Sequence, residues 1–125
     1  MANNKSVKKM TATASFVQAT DAASGTGAKT IADTMSIPVG AVVTACITVP
    51  SVSSNSSGNS ETGTITVGGI SVSAAHNQAA MAAGNVVTDT LGGVTTSSAA
   101  IGITVGTEAF TAGSMDIIIE YYLLD

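Results

Sequence analysis

The chain has 125 residues, which is enough for one domain with one core and too short for two. Hydrophobic residues make up 45% of it but aromatic residues only 3%, so the core must be built from small aliphatic side chains. The four cations are all lysine and are outnumbered by eight acids, which argues against nucleic-acid binding because Arg and Lys make most phosphate contacts.

The N-terminal segment is basic, whereas the rest of the chain has one lysine and all eight acids. Little apolar periodicity is present at first, so we predict a flexible basic arm with a weak first strand over residues 1–30 and a folded domain over residues 31–125. Such an arm is either a solvated tail, which is the commoner case at a terminus, or a peg that docks on an acidic partner. In the second case Lys5, Lys8 and Lys9 are the partner-binding residues.

A long strand is predicted over residues 36–49, where apolar side chains recur at every second position. The residues on its buried face are Val39, Ala41, Val43, Ala45, Ile47 and Val49. The following residues, 51–60, are almost all Ser, Asn and Gly and have too few apolar groups to fold on themselves. We therefore expect an exposed loop there.

A tight hairpin is predicted at Gly68 and Gly69, because glycine adopts the positive φ angles that two-residue turns require. In that hairpin the apolar residues pair across the two strands and share one side of the ribbon. The pairs are Val67 with Ile70 and Ile65 with Val72.

The Ala-rich residues 74–83 predict a short helix that ends at Gly84. Short strands are expected on either side of residues 92–93. Apolar residues recur at every second position over residues 101–105, which predicts another strand. The last strand, over residues 115–124, is apolar on one face and mixed on the other, so we expect it to be central.

These elements predict an all-β fold, a single antiparallel β-sandwich of jelly-roll or Greek-key type with at most one short helix. No apolar run approaches the length of a membrane span, and the N-terminal residues lack the apolar stretch of a secretory signal. We expect a protein made in a cytoplasm that does not bind membranes.

The sequence offers few residues for chemistry. His76 is its one histidine and has no cluster of acids nearby, so we expect a surface or capping residue. Cys46 lies in an apolar strand, where a buried and inert thiol is typical. A metal site needs three or four ligands and a hydrolase elbow needs Gly-x-Ser-x-Gly, and neither pattern is present. We therefore expect no enzyme, no cofactor and no metal site.

Two segments resemble a known class of protein. Residues 37–43 read Ile-Pro-Val-Gly-Ala-Val-Val, and residues 110–122 lead from Thr-Ala-Gly into an alternating strand with Glu-Tyr-Tyr at its end. They resemble the opening and closing strands of small decoration (cement) and fibre-like structural proteins of tailed bacteriophages. The resemblance implies a jelly-roll-like sandwich, commonly a homotrimer, that reinforces a capsid lattice and has no catalytic residue.

Charged residues make up only 10% of the chain, so much of its surface is uncharged and suited to burial in an assembly. The leading hypothesis is a capsid decoration protein, made in the host cytoplasm and located in the virion, that binds the major capsid protein and copies of itself. The alternative is a tail, fibre or baseplate component that attaches to a host surface. A small carbohydrate-binding module or hydrolase is a more distant alternative, which the shortage of aromatic rings disfavours.

Overall fold

Eleven strands and one short helix form within residues 7–124, the residues that the computed structural model describes. In chain order they are β1 (Val7–Val17), α1 (Gln18–Asp21), β2 (Gly27–Thr30), β3 (Asp33–Thr34), β4 (Ser36–Ile37), β5 (Val42–Asn55), β6 (Thr62–Val67), β7 (Ile70–Ser71), β8 (Val87–Asp89), β9 (Gly93–Val94), β10 (Ala99–Gly106) and β11 (Ala112–Leu124). No helix in this part of the chain is both long and apolar enough to cross a bilayer.

The strands form two antiparallel sheets, and the strands of the two sheets are interleaved along the chain. The larger sheet has the order β3-β1-β11-β5-β8, with β9 also paired to β5. The smaller sheet has the order β2-β10-β6-β7, with β4 also paired to β10. Because apolar side chains point inward from both sheets, the architecture is the predicted all-β sandwich, and the last strand is central as expected.

The core between the sheets is built mainly from isoleucine, valine and alanine, as the composition predicted. It contains three aromatic side chains, Phe16, Phe110 and Tyr121. Phe16 and Phe110 form an edge-to-face pair, with ring centroids 5.8 Å apart at an interplanar angle of 79°. The largest aliphatic side chains that are fully buried are Ile31, Ile37, Ile65, Ile101, Ile103, Ile117 and Ile119.

The first strand is longer than the sequence predicted. All eleven residues of β1 pair with β11, from Val7 opposite Leu124 to Val17 opposite Ser114. The sequence predicted the weak first strand only around Phe16 and Val17, whereas β1 begins at Val7, so the loose arm does not describe residues 7–15. β2, within the predicted arm, also lies in a sheet. Ala12, Ala14 and Phe16 do alternate as in a strand, but two of the three are small and give a weak signal. Pairing with the strongly apolar β11 stabilises this segment as a strand.

A bulge in β5 reverses the predicted burial pattern of that strand. Ala45 lies opposite Glu120 and Val43 opposite Tyr121, so Thr44 is an extra residue with no partner of its own. After Ala45, which is buried beside Glu120, the buried residues of β5 are Cys46, Thr48, Pro50 and Ser54. Ile47 and Val49, predicted to be in the core, therefore point to the outer face of the larger sheet. Val39, on the same predicted face, lies before β5 and is exposed.

The hairpin at Gly68 and Gly69 is confirmed. Val67 pairs with Ile70, and the Val72 N–H donates to the Ile65 carbonyl at 2.9 Å. Both glycines have positive φ, 48° and 87°.

The predicted helix over residues 74–83 is wrong, and the segment forms turns instead. Its backbone groups bond to neighbouring strands: the His76 N–H and C=O both pair with Gly63, and the Met81 carbonyl accepts from the Ser54 N–H. Because Gly84 also donates to the Pro50 carbonyl, the segment covers one edge of β5. These tertiary bonds use groups that a helix would have paired internally.

Candidate partner-binding surface

The predicted partner-binding lysines are placed at one end of the larger sheet. Lys8 and Lys9 are consecutive exposed residues of β1, so they point to opposite faces of the sheet. Their cross-strand partners are Leu123 and Tyr122 of β11. Lys5 lies outside the described residues, and its role stays a prediction.

The outer face of the larger sheet is the face turned away from the core. One row across it joins Thr13, Ile118, Ile47 and Thr88, and the strand pairing places all four side chains on the same side. Ile118 and Ile47 are half-buried although they lie outside the core. Ile47 lies on this face because the bulge in β5 turns it and Val49 outward, whereas Ile118 lies there because it alternates with the core residues Ile117 and Ile119.

Few charges lie on this outer face. On one side of the Ile118 row, Asp116 accepts a hydrogen bond from the Ser15 hydroxyl at 3.0 Å. On the other side of that row, Glu120 lies opposite Thr11. Asp33 of β3 lies opposite Ser15 and is a third acid on this face, and Lys9 lies at its far end. The charges lie in the rows beside the uncharged, partly aliphatic row of Ile118 and Ile47, and an apolar row of this kind on an outer face is typical of a surface that another protein covers.

The one histidine is not the surface or capping residue that the sequence predicted. His76 is 5% exposed, and its Nε2 lies 2.7 Å from the Asp89 carboxylate. Its Nδ1 is buried without a hydrogen-bond partner among the described residues. The two residues are thirteen positions apart and meet because the turns of residues 74–83 return to the edge of the larger sheet, which the sequence pattern did not indicate.

Cys46 is buried as predicted and lies opposite Asp89 in the pairing of β5 with β8. Burial, and secondarily the negative charge of Asp89, raise the pKa of this thiol to about 12. The thiol therefore stays protonated at neutral pH and is a poor nucleophile. Within residues 7–124, no three His, Cys, Asp or Glu side chains are arranged to hold a metal ion.

The Ser- and Asn-rich residues are more ordered than the exposed loop that the sequence predicted. β5 continues to Asn55, and the buried Ser54 and Ser56 hydroxyls both lie 2.8 Å from the carboxylate of Glu61. Glu61 is itself fully buried. Hydrogen bonds to this buried carboxylate order the segment, which has few apolar side chains that could pack in the core.

A second carboxylate, from Glu108, closes the same loop from outside. Its Oε1 accepts hydrogen bonds from the Ser60 N–H at 2.9 Å and the Gly58 N–H at 3.1 Å, and lies 2.8 Å from the Ser56 Oγ. Glu108 is 52 residues from Ser56, so no local motif could have pointed to this contact.

The loop contact of Glu108 predicts a pH-dependent stability. The hydrogen bond from the Ser56 hydroxyl, followed by that from the Ser60 N–H, holds the pKa of Glu108 below its ordinary value of 4.5. A lowered folded-state pKa stabilises the fold fully above the ordinary pKa, and the contribution is lost as the pH falls through the lowered value. We expect the melting temperature of Glu108→Gln to lie below that of the wild type at pH 7 and to approach it as the pH falls below 4.5.

The control for this prediction is Glu120→Gln, which removes the same charge from the outer face, where the carboxylate makes no hydrogen bond to the loop. Calorimetry of the three proteins from pH 7 to pH 2.5 measures the effect. A constant difference between Glu108→Gln and the wild type over that range would contradict the prediction.

Comparison with known proteins finds similarity in structure. No protein-family model and no curated protein matches the sequence. The fold is similar to a chain of the acidic stable capsid structure of Helicobacter pylori bacteriophage KHP30, with a TM-score of 0.62, 13% identity and coverage of 96% of this chain and 94% of that chain. It is also similar to a chain of the cyanophage Pam1 capsid asymmetric unit, with a TM-score of 0.57, 20% identity and coverage of 98% and 89%. At these identities the likeness shows a shared fold, which is the sandwich that the resemblance of the two end segments implied.

Proposed function

We propose that this chain is a capsid decoration protein, a structural component of a phage virion that binds the assembled lattice of the major capsid protein. The observation that carries the proposal is the shared fold, which extends over nearly the whole chain in both phage capsid structures. The chain is then made in the host cytoplasm and located on the capsid surface, and its role needs no cofactor.

The surface of the larger sheet supports an assembly role. The central row of its outer face is uncharged and contains Ile118 and Ile47, so covering that row removes apolar area from water without desolvating a charge in the row. In this proposal copies of the chain associate through such faces as a homotrimer. Lys5, Lys8 and Lys9 contact the neighbouring capsid subunits.

The proposed mechanism is mass action. A protein that binds the assembled shell, and not the free subunits, stabilises the shell by the free energy of that binding. At a concentration of one hundred times Kd this amounts to about 2.7 kcal/mol for each site. Many sites on one lattice multiply the effect without any chemical step.

The test uses phage shells that lack the protein. Purified chain is added to such shells, which are then sedimented and imaged by cryo-electron microscopy. We expect saturable binding, regular density on the capsid lattice and greater resistance of the loaded shells to heat. Tailed particles that lack the protein are treated in the same way, and density at their tail or baseplate with none on the shell would support the alternative of a tail or fibre component. Absence of binding to the shell would overturn the decoration role.

The trimer is tested separately by size-exclusion chromatography with light scattering. We expect a mass of three chains at concentrations near those used for shell binding. A monomer over the whole accessible range would contradict self-association in solution.

A further inference from the structure

The first strand has an open edge. On one side β1 pairs with β11 along its whole length. On the other side β3 covers only Ala14 and Ser15. No described residue pairs with the six residues 7–12 on that side, a length of about 20 Å at the rise of an antiparallel strand.

The outward direction of the backbone groups on this edge follows from one hydrogen bond. In an antiparallel strand the N–H and C=O of one residue point to the same side, and successive residues point to opposite sides. The Thr13 carbonyl accepts from the Met35 N–H beside β3, so it points away from β11. The same side is therefore faced by Val7, Lys9 and Thr11, which offer three N–H and three C=O groups to an incoming strand.

The side chains on this edge are cationic and apolar. Lys8 and Lys9 lie on opposite faces, and within residues 7–124 neither has a carboxylate within 4.0 Å. Val7 and Met10 are 56% and 39% exposed, and Met35, just beyond the covered part of the edge, is 51% exposed. An incoming strand would meet two positive charges that have no carboxylate partner among the described residues, flanked by apolar side chains.

We infer that this edge binds an extended acidic segment of the capsid partner as an added antiparallel or parallel strand, with a carboxylate on each face opposite Lys8 and Lys9. The inference rests on the proposed function, because it names the chemistry of the capsid segment. Main-chain hydrogen bonds to Val7, Lys9 and Thr11 supply affinity, and the two lysines select an acidic sequence.

A second copy of this chain is a poor occupant of the edge. Antiparallel pairing of the open residues 7–12 of two copies, centred on Lys9, places the two Lys9 side chains directly opposite each other, and like charges opposite each other destabilise a sheet. Lysine on an open edge is a known means of preventing such pairing. The same charges favour an acidic strand from a different protein.

A proline substitution tests the backbone contacts. Thr11→Pro removes an N–H that points away from β11, so the free protein should keep its melting temperature to within a few degrees, while its affinity for shells that lack the protein falls about tenfold or more. Met10→Pro is the matched control, because its N–H points toward β11. It should lower the stability of the free protein substantially.

A charge reversal tests the choice of an acidic partner. Lys9→Glu should reduce shell affinity by about 10- to 100-fold, with a weaker salt dependence than the wild type. Lys29→Glu makes the same change of net charge in the smaller sheet, where the ammonium donates to the Ser24 carbonyl, and should bind shells like the wild type. Equal losses in the two variants would overturn a specific role for the edge.

Hydrogen exchange on the free and the shell-bound wild type gives a direct readout. The amides of Val7, Lys9 and Thr11 should exchange quickly in the free protein and slowly on the shell, whereas those of Lys8 and Met10 are protected in both. Wild-type binding with no new protection at these amides, or with full affinity in Thr11→Pro, overturns the edge assignment alone. Failure of the wild type to bind overturns the proposed function and this inference with it.

Discussion

Replacing Phe16 with alanine is expected to lower the free energy of unfolding by about 3–5 kcal/mol. The side chain is 1% exposed and packs edge-to-face on Phe110, so its removal leaves a cavity between the sheets and breaks the aromatic pair. Urea denaturation followed by circular dichroism measures the change. A reduction of this size is large for a 125-residue domain, whose total stability is of the order of 5–15 kcal/mol.

The matched control is Val17→Ala, one residue further along β1. Val17 is 43% exposed and points to the outer face, so its truncation should change the stability by about 0.5 kcal/mol or less. If both variants were equally stable, β1 would not be an integral strand of the sandwich. The loose arm predicted from the sequence would then be the better description of residues 7–17.

Replacing Glu61 with alanine should have the second largest effect. The carboxylate accepts hydrogen bonds from the Ser54 and Ser56 hydroxyls, each at 2.8 Å, in a fully buried position. Alanine leaves the Ser54 hydroxyl buried without its acceptor, and a buried unsatisfied group costs about 1–3 kcal/mol. The Ser56 hydroxyl keeps the Glu108 carboxylate as an acceptor, so we expect a total loss near the upper end of that range once the lost side-chain volume is included.

Glu61→Gln is the control that separates hydrogen bonding from volume. The Ser56 hydroxyl has one proton but lies 2.8 Å from oxygens of both Glu61 and Glu108, so it donates to only one of them at a time. An amide at position 61 accepts from Ser54 through its oxygen and donates to Ser56 through its NH₂ group, which frees the Ser56 proton for Glu108. We expect this variant to be at least as stable as the wild type at pH 7. A loss equal to that of Glu61→Ala would show that the negative charge itself is required.

The sequence by itself determined the fold class and several of its elements. Alternation at period two identified β10 and β11, and two adjacent glycines identified the turn between β6 and β7. These features are local, because a strand with one buried face alternates whatever its neighbours are, and a two-residue hairpin turn needs positive φ wherever it occurs. The scarcity of aromatic residues likewise determined the kind of core.

Only the tertiary structure decided which of the alternating segments pair and which faces they bury. The bulge at Thr44 reverses the burial of Ile47 and Val49. Residues 74–83, for which the sequence predicted a helix, instead bond through their backbone to β6 at Gly63 and to one edge of β5 at Ser54. Contacts between distant positions, such as Glu108 with Ser56, have no local signature. The physical reason is that strand register, edge pairing and the hydrogen bonding of buried polar groups depend on partners far along the chain. Local sequence specifies only the period at which apolar side chains recur.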